Sequence, residues 1–297
     1  MANEPAVFTG HPITAVAAAD ELGEGPIWDG RTGTLFWVDI LGRRVWRWRP
    51  GHGQAQAFDV GEAVGFAVLT SEAGSLILGV RSGLALYRVG EGRPEPIGRV
   101  GEDRPGNRLN DGATGPDGSL FFSTMDDAET EPTGRFHRWS AGGVSRFGPE
   151  VVVGNGPAID GLAGVLYASD TVGRTIYRYR LSSNGTPEAE TVFCRFGEGD
   201  GHPDGMTVDA DGHLWVCHFG GGRVTRFDPD GQAVLTIPMP TGQVTKPAFG
   251  GPDLSLLYVT SAAKGRDRST DLQAGNLFAI ETGIRGRPAD ICTVAIA

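Results

Sequence analysis

Polar side chains of an unusual kind stand at the starts of separate apolar stretches of this chain: Glu24, Asn110 with Asp111, Asn155 and Asp204. A glycine follows Glu24, Asn155 and Asp204. Glycine permits a tight backbone and leaves the preceding side chain free to point inward. Carboxylate and amide oxygens form a hard donor set, suited to Ca²⁺, Mg²⁺, Mn²⁺ or Fe²⁺ and tolerated by Zn²⁺. Three protein donors would leave positions open for water and substrate, as a catalytic ion needs. Carboxylates gathered without a cation would repel each other and lose solvation, a conflict that a cation resolves. Taken singly, an Asp or Asn before Gly is a turn former. Recurrence at equivalent points of a repeat makes these residues candidates.

The elements that must position them are read from that repeat. One unit carries a Gly-containing start, a turn, an apolar strand, a second turn, and a strand with aromatic and basic residues. Six such units begin near Gly23, Gly65, Asn110, Gly154, Pro203 and Lys246. Their period of about 40 to 50 residues is that of propeller blades. Short apolar runs such as Leu35–Val38, Leu120–Phe122, Val165–Tyr167 and Leu256–Val259 suit buried strands. One blade cannot bury both faces, whereas a ring of six can. The expected fold is therefore an all-β, six-bladed β-propeller spanning residues 1–297. Its N-terminal strand, about 11–18, is expected to close the last blade by pairing near Ile291–Ala295. A two-sheet sandwich is the competing architecture, and it gives no reason for a whole unit to recur six times.

Composition agrees with this reading. The 297 residues include 47 glycines and 19 prolines, dispersed as turn punctuation rather than gathered in a linker. The formal net charge of -10 disfavours nucleic acid as a partner. No run of 18 apolar residues suggests a membrane helix, and Met1–Asp20 lacks the basic start of a signal peptide. Cys194, Cys217 and Cys292 are odd in number and lack CxxC spacing, which fits reduced thiols and a cytoplasmic location. No HExxH spacing, no GK[ST] after Gly220–Gly222 and no GxSxG elbow occur. His202 is read as a turn residue and His218 as a packed one. Trp46, Trp48 and Trp139 are read as strand packing, and Lys264–Asp271 as a solvated loop.

The ordered motifs LGEGPIW (Leu22–Trp28), FWVDI (Phe36–Ile40), RLNDG (Arg108–Gly112) and PDGSLFFSTM (Pro116–Met125) resemble those of the SMP-30/gluconolactonase/luciferin-regenerating family. The likeness continues through GNG (Gly154–Gly156), LYASDT (Leu166–Thr171), PDGM (Pro203–Met206) and GGGRVTRFDPDG (Gly220–Gly231), over nearly the whole chain. The resemblance implies one divalent metal ion in the central channel, held by Glu24, Asn155 and Asp204. It implies substrate binding by Arg108 and Asn110, with Asp204 also the catalytic residue that orients or deprotonates water. Asp111 is expected to hold Arg108 or its loop. Animal members carry a substrate-contacting glutamate just after the TM motif. That position falls near Ala128 here, with Asp126 and Asp127 as neighbouring acids.

The implied activity is hydrolysis of sugar (aldono-)lactones to aldonic acids, with a small-molecule lactone as partner. Two alternatives stand beside it: a hydrolase of other lactones or organophosphate esters, and a non-catalytic, metal-binding regulatory propeller.

Overall fold

The computed structural model describes residues 4–100 and 104–294. All regular structure among them is strand, and the strands form six sheets arranged as the blades of a β-propeller. Two short strands come first, Ala6–Val7 (β1) and Ile13–Val16 (β2). Blade one is Gly23–Asp29 (β3), Thr34–Asp39 (β4), Arg44–Trp48 (β5) and Gln56–Asp59 (β6). Blade two is Val64–Leu69 (β7), Ser75–Val80 (β8), Gly83–Arg88 (β9) and Glu95–Gly98 (β10). Blade three is Asn107–Thr114 (β11), Leu120–Asp126 (β12), Gly134–Ser140 (β13) and Gly143–Val151 (β14). Blade four is Gly154–Asp160 (β15), Val165–Asp170 (β16), Thr175–Leu181 (β17) and Pro187–Arg195 (β18). Blade five is His202–Val208 (β19), Leu214–Phe219 (β20), Arg223–Phe227 (β21) and Ala233–Pro238 (β22). Blade six has Val244–Gly250 (β23), Leu256–Ser261 (β24) and Leu277–Glu281 (β25).

Blade six takes its fourth, outermost strand from the N-terminus: β2 pairs antiparallel with β25, Ile13 opposite Ala279. The partner is thus Leu277–Glu281 and not the stretch from Ile291. Ala295 lies outside the described residues. Residues 282–294 instead run as a strap beneath the ring. Gly286 pairs with Asp209 of blade five and donates to Leu254 of blade six. Arg287 pairs with Asp160 of blade four. Cys292 donates to Leu69 of blade two, and Thr293 to Gly118 of blade three. The C-terminal residues were expected to supply a strand, and they supply these isolated bonds because their apolar side chains pack downward between blades two and three.

Six apolar clusters hold the ring, one at each interface between consecutive blades. This follows from the pattern: middle strands bury both faces, so each blade is a hydrophobic slab that only its neighbours can cover. Trp37 is fully buried and stacks on Trp46 at 5.2 Å, and Asp20 accepts from both indoles at 2.9 and 2.8 Å. Trp48 and Trp139 also pack against inter-blade clusters, as the sequence implied.

The feature that positions the site is a register break in the inner strand of every blade. It falls at Glu24/Ile27, Val64/Phe66, Leu109/Gly112, Asn155/Ala158, Pro203/Met206 and Val244/Pro247. A bulge leaves a residue unpaired and re-aims its side chain. Six equivalent bulges around one axis re-aim six sets of side chains toward the same channel.

Candidate active site

Each candidate residue stands at or within one of these bulges: Glu24 in β3, Asn110 and Asp111 in β11, Asn155 in β15 and Asp204 in β19. All five are buried, as is Arg108. The break in β23 carries a further charged residue, Lys246, also buried. In the sequence Lys246 marks only the start of blade six. Its signal was positional, since it stands one residue before the inner strand re-pairs, the place that Asp111 holds in blade three. Blade two offers Gly65 there, with no side chain.

Electrostatics place the charged groups against one another. Burial, then the charge of Asp111, pushes the Glu24 carboxyl up to about 8, while Lys246 and the Gly25 amide pull it down. Burial likewise raises Asp204 well above the carboxylate range, helped by Glu24 and Asp111. Asp111 is raised by burial and drawn back chiefly by Lys246. Three acids therefore share a desolvated space with one ammonium, and with no cation present burial favours the protonated form of the excess carboxyls.

A directed hydrogen-bond chain fixes the amides. Arg108 Nη1, which can only donate, bonds Asn110 Oδ1 at 2.7 Å. Asn110 Nδ2 then donates to Asn155 Oδ1 at 2.8 Å and to the Gly154 carbonyl at 2.9 Å. Asn155 Nδ2 donates to Thr171 Oγ1 at 2.9 Å, and Thr171 donates to the Pro203 carbonyl at 2.9 Å. A donor-only group at one end and an acceptor-only group at the other leave one consistent orientation for both amides. The Asn155 oxygen faces Asn110 and keeps a second lone pair. Thr171 belongs to the LYASDT stretch, where nothing in the spacing announced this role. His202 opens β19 and is half-buried, with Nδ1 at 3.0 Å from the Thr171 carbonyl, so it is more than a turn residue.

Two expectations change. Asp111 does not hold Arg108; it holds its own loop by accepting from the Gly112 amide at 2.7 Å, and it pairs with Lys246 across the channel from blade three to blade six. Arg108 is held instead by Asp127, whose Oδ1 accepts from Nε at 3.0 Å, and Asp127 also pairs with Arg81 of blade two. Asp126 accepts from the Thr130 and Glu131 amides at 2.9 and 3.0 Å and so closes its own turn. Above these groups Lys264 of the blade six loop donates to Glu129 of blade three at 2.7 Å. Blades three and six are opposite in the ring, so this exposed pair spans the mouth. Lys264–Asp271 is thus a solvated loop held at several points: Asp271 accepts from Thr241 at 2.9 Å, and Arg268 donates to the Ala19 carbonyl at 3.0 Å.

A cavity of about 500 Å³ occupies the other half of the channel. It is lined by the later parts of the inner strands, including Ile27, Ala113, Met206 and Phe249, and by Arg287–Asp290 of the strap. Lys246 lines its inner end, but Glu24, Arg108, Asn110, Asn155 and Asp204 do not. The polar site accordingly faces the opposite mouth, under the Lys264–Glu129 pair.

The donor set fits a hard divalent ion. Two desolvated carboxylates repel each other, and an oriented amide oxygen stands with them. Among the described residues no three His, Cys, Asp or Glu side chains gather as a metal site. The candidate set reaches three donors through the Asn155 amide oxygen.

A family model described as SMP-30/Gluconolactonase/LRE-like region matches residues 22–263. A pentonolactonase from Haloferax volcanii is 36% identical over 275 residues, covering 90% of this chain and 93% of that one. Regucalcin from Xenopus laevis is 31% identical over 284 residues, covering 91% and 94%. Among solved structures, a calcium-binding protein, regucalcin, from Agrobacterium tumefaciens superposes with a TM-score of 0.93 at 27% identity, covering 98% of this chain and 100% of that one.

Proposed function

The chain belongs to the SMP-30/gluconolactonase/LRE-like family, and from that premise we propose that it is a sugar lactonase opening aldonolactones to aldonic acids. We assign its one divalent ion to Glu24, Asn155 and Asp204. The observation that carries this reading is the surplus of buried acid: Glu24 and Asp204 are desolvated and mutually repelling beside a single ammonium. The similarity to a pentonolactonase supports the substrate class.

A divalent ion bound there supplies Lewis-acid polarisation of an ester carbonyl and acidifies water. The remaining work falls to the chain. Arg108 is pinned through Nε and Nη1, and its Nη2, unused by any described residue, donates to a sugar hydroxyl or the carbonyl region. Asn110 sits between Arg108 and Asn155 and ties substrate grip to ligand position. The Asp204 carboxylate orients the attacking water and takes its proton. The ring C–O bond of the lactone then breaks, and the departing alkoxide is protonated to give the open hydroxy acid. Burial under the Lys264–Glu129 pair limits bulk water and favours substrates whose hydroxyls satisfy these polar groups.

The test is a panel of aldonolactones followed by acid release, with and without chelator. Turnover on at least one aldonolactone, lost on chelation and restored by added divalent ion, is the expected result. Absence of metal-dependent turnover on every lactone contradicts the proposal and returns the chain to a non-catalytic role.

A further inference from the structure

Lys246 and its partner Asp111 are buried charges of the channel that the proposed reaction does not use. The place of Lys246 is built into the fold. It stands in the β23 bulge, and its aliphatic stem lies against Gly205, where an added Cβ would sit 2.4 Å from Lys246 Cβ and 2.5 Å from its Cγ. Gly205, in the PDG motif beside Asp204, is therefore a glycine because Lys246 passes over it. The ammonium donates to Asp111 Oδ1 and lies 3.4 Å from the Gly112 carbonyl. Both partners are nearly enclosed, with side chains 8% and 2% exposed. The other Asp111 oxygen is buried and unpartnered.

Resting on the metal reading above, we propose that Lys246 is a fixed counter-charge that keeps Asp111 out of the metal's coordination and sets how tightly the ion is held. Glu24, Asp111 and Asp204 bring three negative charges, and Lys246 cancels one. The two that remain match one divalent ion. Without Lys246 a third carboxylate becomes free to ligate, and a like charge is removed from the ion's surroundings. Both changes favour a cation, and they favour a trivalent one more than a divalent one.

The experiment is calorimetric titration of Mn²⁺ and, separately, Tb³⁺ into the chelator-stripped full chain, comparing wild type with Lys246→Met, Lys246→Gln, Asp111→Asn and the double variant Asp111→Asn/Lys246→Met. Lys246→Gln keeps a donor for Asp111 and reports on charge if Lys246→Met fails to fold. Both Lys246 variants are expected to bind Mn²⁺ about tenfold tighter or more, with a larger gain for Tb³⁺. Asp111→Asn leaves the ammonium unpaired and binds more weakly. The double variant, again with two carboxylates, returns to near wild-type affinity. Lys246 variants with wild-type or weaker Mn²⁺ affinity, or a double variant no closer to wild type than Asp111→Asn, overturn the inference while leaving the metal reading intact. A wild-type chain that binds neither ion overturns both.

Discussion

Thr171 shows how much of this site is decided by single atoms. Its hydroxyl must donate to the Pro203 carbonyl, so only its lone pair is left for Asn155 Nδ2. That choice turns the Asn155 oxygen toward the channel. Thr171→Val keeps the shape and removes both bonds, freeing the amide to flip. Divalent-ion affinity is expected to fall about tenfold, the scale typical of groups that orient a ligand, and Thr171→Ser is expected to restore it. Titration calorimetry reads both. Glu24 gives the pH dependence. Its carboxyl is pushed up to about 8 by burial, from an ordinary 4.5. Below that pH each ion must displace a proton from Glu24, and burial raises Asp204 in the same direction, so metal affinity rises with pH through about 8. In the metal-free protein the sign for stability is opposite. Between the two pKa values the folded chain holds a proton that the unfolded chain has released, so stability falls as pH rises through this window. Thermal melts with chelator should show that decline, and added divalent ion should suppress it. Glu24, Asn110, Asn155 and Asp204 were legible because each stands at a repeated blade start, and Arg108 only through the family likeness of RLNDG. Thr171, Asp127 and Lys246 were not, because a hydrogen-bond partner from another strand or blade leaves no mark on local spacing.

At the scale of the element, the inner-strand bulge does the positioning. It was only partly visible: glycines beside polar residues marked four blades, but strand alternation says nothing of a register break. Blade two shows what the bulge demands where it carries no polar group. A Cβ on Gly65 would meet the Asn110 carbonyl oxygen at 2.4 Å and that of Leu109 at 2.6 Å. These are backbone atoms of β11 and cannot swing aside. Gly65→Ala is therefore expected to cost about 3 kcal/mol, measured by denaturant unfolding, and to weaken substrate binding by displacing Asn110 and Arg108. A loss under about 1 kcal/mol would mean that blades two and three are less tightly apposed than this contact implies. The outer strands were the least legible elements. The ends of both termini pattern weakly, so the partner of β2 was sought near Ile291 and lies at Leu277–Glu281.

For the whole molecule, the ring brings together residues that stand more than a hundred positions apart in sequence. Blade count and order were readable because each blade repeats a hydrophobic slab. The closures across the axis were not. The strap of residues 282–294 touches blades two to six, and the Lys264–Glu129 and Lys246–Asp111 pairs both join opposite blades. Such contacts arise from the closed ring itself and leave no mark on local sequence pattern. The proposed activity requires distant blades to hold one ion jointly. Stoichiometric titration of Mn²⁺ into the chelator-stripped chain and into Glu24→Gln, Asn155→Ala and Asp204→Asn tests this most directly. One ion per chain in the wild type, with affinity lost about a hundredfold or more in each variant, is the predicted result. Unchanged stoichiometry and affinity in Asp204→Asn would contradict it.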